Sequence, residues 1–146
     1  MSFNLSVYEM LENVDKEKTR KKKIEMIKQY SVEAKALSII LDLTFDAGWK
    51  WLLPEGTPPY TPSPKEADLQ HVLKADARRL QYFVNTPDGN AMKPLRRETM
   101  FIELLESVDA NDAKLLIHIK QKKLPFKSLT KKLIKEAFPE ETKGWS

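Results

Sequence analysis

The chain has no cysteine, which removes disulfides, thiolate catalysis and any zinc site built on thiolates, and suits a reducing compartment. It has only two histidines, His71 and His118, so an imidazole-based metal site is not expected. Glycine is scarce at four residues, no glycine-rich phosphate loop is present, and no β-branched alternation calls for a strand. The longest apolar runs fall far short of the ~18 residues a membrane span needs, and MSFNLSVYEML lacks the basic-then-apolar pattern of a signal peptide. A soluble, intracellular protein with no membrane partner is therefore expected. Acids are missing in one place: between Lys114 and Lys135 there are eight lysines and no Asp or Glu.

What is present is a helical pattern. Apolar residues recur at three- and four-residue intervals through most of the 146 residues, which predicts an all-α fold. The length fits a single domain over 1–146 with one hydrophobic core, a compact bundle of six to seven helices carrying an extended Pro-rich loop. Ser6 and Glu9 form a capping-box pattern ahead of a helix that turns Val7, Tyr8, Met10, Leu11 and Val14 inward. A second helix is expected from about Lys16 to Tyr30, with Ile24, Ile27 and Tyr30 on its buried side. Ser31 is positioned to cap a third, running from Val32 to Phe45, stopping near Gly48 and forming the centre of the core.

Residues 49–63 follow, rich in tryptophan and proline; proline cannot continue a helix, and the large apolar areas of Trp49, Trp51 and Tyr60 predict an ordered surface excursion rather than a flexible linker. Ser63-Pro64-Lys65-Glu66 predicts a helix start, with the helix reaching Val84. Thr86 to Asn90 reads as a turn, Leu95 to Val108 as a helix, and Asp109 as the cap of another that reaches Lys122. Ser128 or Thr130 opens a last short helix ending at Phe138-Pro139, so residues 109–138 have the length of a basic helix-turn-helix unit.

The formal charge of +4 is uneven. Basic residues cluster at Lys16 to Lys23, at Arg78 and Arg79, at Lys93, Arg96 and Arg97, and in the C-terminal stretch. Lys120, Lys122, Lys123, Lys127, Lys131, Lys132 and Lys135 make a candidate surface for a negative partner, either a nucleic-acid backbone or an acidic protein. As a groove reader the stretch is poorly equipped, because Arg, Asn and Gln suited to base edges are nearly absent, so any nucleic-acid binding should be sequence-tolerant and salt-sensitive. Arg78 and Arg79 facing Arg96 and Arg97 would make a phosphate-sized site; the alternative is that Arg96 or Arg97 pairs with an acid inside the fold. Trp49, Trp51 and Tyr60 beside Lys50 could stack bases, could serve as aromatic anchors for a docked partner, or could simply anchor the loop.

Catalysis has little support. No residue is assigned a catalytic role, and neither a metal nor a cofactor is expected. Asp42 and Asp46 share a helix face and could hold a divalent ion with a third acid, but the preferred reading is a solvated face or cap-region acids. His118 lies between Ile117 and Ile119 with no Ser or Asp neighbour to orient it.

Four segments carry a resemblance: LSVYEML, WLLPEGTPPY, KPLRRETMFIELLESVDANDAKLLIHIKQKKL and LTKKLIKEAFPE. Together they resemble a family of small proteins of T-even-like bacteriophages and their cyanophage relatives, mostly of unassigned activity. Among these the chain is similar to the RNA-polymerase-associated type, noncatalytic binders of host polymerase. The resemblance implies action in the cytoplasm of an infected bacterium and docking on host transcription machinery, and it assigns no individual residue.

Overall fold

The computed structural model describes residues 5–146; the first four residues, included in the N-terminal leader reading, lie outside the described residues. The first helix, α1 (Val7–Lys16), opens on the capping box the sequence predicts. The Ser6 hydroxyl accepts the Glu9 N–H at 3.1 Å and the Glu9 carboxylate accepts the Ser6 N–H at 3.0 Å, satisfying two donors that a helix start otherwise leaves orphaned. Val7, Met10, Leu11 and Val14 are buried.

The second helix, α2 (Arg20–Glu33), begins later than expected because Thr19, not the Lys16 region, supplies the cap by accepting the Lys22 N–H at 3.2 Å. It also runs past Ser31. That hydroxyl donates to the Lys28 carbonyl at 2.8 Å from within the helix, so it caps nothing, and Val32 is 84% exposed instead of buried. The chain breaks at Ala34, in extended backbone, before α3 (Lys35–Phe45). This third helix buries Ala36, Leu37, Ile40, Leu41, Leu43, Thr44 and Phe45, and α2 and α7 both pack on it, which makes it the centre of the core as expected.

The expected helix from Ser63 to Val84 is the largest correction. Ser63 donates its hydroxyl to the Glu106 carbonyl at 2.9 Å, and the segment after it closes only isolated turns, at Pro64–Ala67 and Leu69–Val72, in place of a continuous helix. Regular structure resumes at α4 (Val72–Asp76) and passes into a 3-10 helix (Ala77–Phe83). The expected turn at Thr86 to Asn90 is a short helix, α5 (Pro87–Ala91), capped by Thr86, which accepts the Gly89 N–H at 2.9 Å. Gly89 is required by close approach: a Cβ there would lie 2.0 Å from the Val84 carbonyl.

Helices α6 (Pro94–Ser107), α7 (Ala110–Lys120) and α8 (Lys131–Ala137) complete the chain. Thr130 caps α8 through the Leu133 N–H at 3.2 Å, while Ser128, the alternative opener, donates to the Asp15 carboxylate. Residues 121–130 separate α7 from α8, and α8 packs on α2, so the C-terminal part does not form a tight helix-turn-helix pair. Among the described residues there are eight α-helices and one 3-10 helix, with a single isolated bridge, Trp51 to Val84, and no strand. The fold is all-α, with the surplus over six or seven helices coming from the broken Ser63–Val84 segment and from α5. One continuous core joins all parts, and no described helix is long and apolar enough to cross a membrane.

Candidate functional site

The lysine-rich C-terminal stretch divides into two sets. Lys120, Lys122 and Lys131 turn back onto the protein, whereas Lys123, Lys127, Lys132 and Lys135 are exposed with no hydrogen-bond or ion-pair partner among the described residues. Lys120 donates to the carbonyls of Pro54 at 2.6 Å and Gly56 at 2.7 Å and so grips the Pro-rich loop. Burial lowers its pKa, with Glu55 opposing.

Lys122 is the most committed of the set. Its ammonium donates to Leu43 at 2.8 Å, Asp46 at 2.8 Å and Trp49 at 3.1 Å, one carbonyl for each N–H it carries. These carbonyls belong to the end of α3 and the residues just beyond it, where a helix leaves acceptors unsatisfied. Burial lowers the pKa of this lysine too; Asp46 and Asp42 oppose that, and Lys50 and Lys131 add to it. Its backbone is left-handed, with φ of 65°, the region that glycine adopts without cost. Lys122→Ala is expected to cost about 2 kcal/mol, since it removes charged hydrogen bonds and retains the strained backbone, whereas Lys122→Gly recovers up to about 1 kcal/mol of that loss. Denaturant melts of the two variants check the order, and an alanine variant equal to wild type would remove the clamp from the account.

Beside these lysines lies a cleft of about 920 Å³, lined by Phe45, Trp49, Lys50, Trp51, Lys120 and Lys131 among others. Its two tryptophans are anchored. The Trp49 indole donates to Asp42 at 3.0 Å, and Trp51 donates to the Leu43 carbonyl at 3.4 Å; both are half-buried against the core. Tyr60 also packs on the core but does not line this cleft. The loop is held further by the Thr61 N–H, which donates to Glu106 at 2.7 Å. Residues 49–63 form no helix, and these contacts hold them against the rest of the fold.

Asp42 and Asp46 are occupied as acceptors. Asp42 takes the indole N–H of Trp49 and, at 2.7 Å, that of Trp145, while Asp46 accepts the N–H groups of Gly48 and Ser146 at 3.0 Å each. Burial raises the Asp46 pKa, but those two N–H groups, Lys122 and Lys131 together bring it below its ordinary value. The His118 ring shares a hydrogen with the Lys114 carbonyl at 2.9 Å.

The arginine constellation does not assemble. Arg78 and Arg79 are exposed on the 3-10 helix, and Arg78 and Arg96 line different clefts. Arg97 is 6% exposed and binds no acid. Its guanidinium donates to Leu52 at 3.3 Å, Gly89 at 2.7 Å and Met92 at 2.8 Å, joining the Pro-rich loop, α5 and α6. A model of a family of unknown function (DUF6433) matches residues 10–125. The chain belongs to the DUF6433 family. The DUF6433 match runs from within α1 past α7; it includes the cleft tryptophans, Arg97, Lys120 and Lys122, and ends before α8. No curated protein and no solved structure matches the chain.

Sequence reasoning missed Arg97 as a structural pin, Lys23 and Lys122 as carbonyl clamps, and Asp112, a fully buried carboxylate. For Asp112 a signal existed: it lies one turn inside α7 on the face that carries Leu115, Leu116 and Ile119, where a solvated acid does not belong.

Proposed function

We propose that this chain is a noncatalytic binding protein whose C-terminal lysine face docks on the phosphate backbone of nucleic acid with little sequence preference. The observation that supports this reading is the character of the four outward lysines, Lys123, Lys127, Lys132 and Lys135, which are exposed and unpartnered. No exposed large apolar residue accompanies them; the two such residues described, Val32 and Leu95, belong to other helices. Protein interfaces are centred on desolvated aromatic, Met or Arg anchors and are depleted in lysine, whereas phosphate contacts need only solvated cations.

The test is fluorescence anisotropy with duplex and single-stranded oligonucleotides between 50 and 200 mM salt. Affinity should fall linearly on a log–log plot, and Lys132→Glu with Lys135→Glu should weaken binding at least tenfold while the melting curve stays unchanged. No binding at 50 mM salt would eliminate the reading.

Docking on host RNA polymerase during phage infection, in the bacterial cytoplasm, is the second reading. The resemblance to polymerase-associated phage proteins supports it, and so does the aromatic cleft of about 920 Å³, which has the apolar wall that the lysine face lacks. Retention of polymerase subunits by the tagged protein after nuclease treatment would favour it over the first.

A further inference from the structure

The cluster at the start of α2 and the lysines of α8 are far apart in sequence, and the fold brings them together. Arg20, the first residue of α2, bonds Glu136 in α8 at 2.6 Å, and the two helices pack side by side. Lys21 and Lys22 adjoin Arg20, Lys135 adjoins Glu136, and Lys132 stands one helical turn before Glu136, on the same side of α8. All four are exposed and unpartnered, as are Lys18 before α2 and Lys127 before α8.

Other members of the N-terminal cluster have work inside the fold. Lys23 donates to the Asp15 carbonyl at 2.6 Å and the Glu17 carbonyl at 2.5 Å, closing the end of α1, and Lys16 pairs with Glu12 at 3.8 Å. Lys21 and Lys22 have none, and as cations in the first turn of a helix they gain nothing from its dipole. The bridge between Arg20 and Glu136 occupies the α8 acid beside them, and Glu25 stands one turn on from Lys21 and Lys22.

We infer that the α2 start and α8 form one two-helix cationic edge, and that its occupant is a duplex nucleic-acid backbone lying across both helices. Charge complementarity selects the occupant: six free ammonium groups, Lys18, Lys21, Lys22, Lys127, Lys132 and Lys135, lie on or next to the two packed helices, and the exposed apolar residue of α2, Val32, is at the far end of that helix. A single helix would meet only a short run of phosphates, whereas two adjacent helices meet a longer one. This deepens the nucleic-acid reading and rests on it.

The experiment uses the full chain, a 25-base-pair duplex and anisotropy titrations across salt. Lys21→Glu with Lys22→Glu should weaken binding about tenfold and flatten the log–log salt slope by about one to two. The milder Lys21→Ala with Lys22→Ala should give the same sign, with helicity and melting unchanged in both. If only Lys132→Glu with Lys135→Glu weakens binding, the two-helix edge is overturned and the C-terminal reading stands. If the wild type fails to bind, both fall. Equal affinity for a poly-glutamate chain at the same salt would replace the nucleic acid by an acidic protein and overturn the occupant assigned here.

Discussion

Arg97→Ala is expected to lower stability by about 3–4 kcal/mol, the largest loss for any single substitution at a charged position in this protein. The side chain is 6% exposed, and its three bonds to Leu52, Gly89 and Met92 carry an ionised donor. Each such bond contributes about 1.5–3 kcal/mol, and truncation strands buried carbonyls as well as opening a void. Part of the loss is offset because the variant no longer buries a charge whose Nε finds no partner among the described residues. For a chain of 146 residues this corresponds to a fall in Tm of about 10 °C. Arg97→Lys should recover little, since an ammonium cannot span three carbonyls set out for a planar fork. A Tm within 2 °C of wild type for the alanine variant would show that the loop, α5 and α6 hold together without it.

The second large effect concerns pH. Asp112 is fully buried; its Oδ1 accepts the Tyr8 N–H at 2.8 Å and its Oδ2 has no partner among the described residues. Burial pushes its carboxyl up to about 7; the N–H groups of Tyr8 and Val7 act against this, and the charges of Asp109 and Glu9 reinforce it. A carboxyl with a folded pKa above the 3.8 of the free group holds a proton that the unfolded chain releases. Stability from this group is thus fully present at low pH and is lost as pH rises toward 7, by about 1.4 kcal/mol for each pH unit crossed. Asp112→Asn keeps an acceptor for Tyr8 and has nothing to ionise. Urea melts at several values between pH 5 and pH 7.5 should give a falling stability for wild type and a flatter one for the variant. Parallel slopes would mean that Asp112 stays ionised in the folded protein.

How much of this could be read from the sequence depends on which interactions are local. The capping box at Ser6 and Glu9, the Thr130 cap and the apolar spacing of α3, α6 and α7 involve residues three or four apart, so the sequence displays them directly. Ser63 looked like another such start, but its hydroxyl bonds Glu106, 43 positions away, and the segment after it closes only isolated turns, a tertiary outcome that local pattern does not display. The lysine face was legible as a composition and not as a surface. Seven lysines and four arginines were equivalent candidates, and only the tertiary fold separates those that grip carbonyls from those that face water.

Scarce glycine explains that division. Helix ends commonly finish on a left-handed glycine that lets backbone N–H groups satisfy the last carbonyls. Here side-chain cations do this instead: Lys23 at the end of α1, Lys122 at the end of α3 and Arg97 at the end of α5. Basic residues in this chain therefore serve as helix terminators as well as exposed surface cations.

The contact between Arg20 and Glu136 spans 116 positions. Closing so long a loop is entropically expensive and comes after local helices have formed. The seam it completes thus exists only once the last helix has been synthesised and has docked. An unfinished or truncated chain would carry the α2 cations without their counterpart on α8.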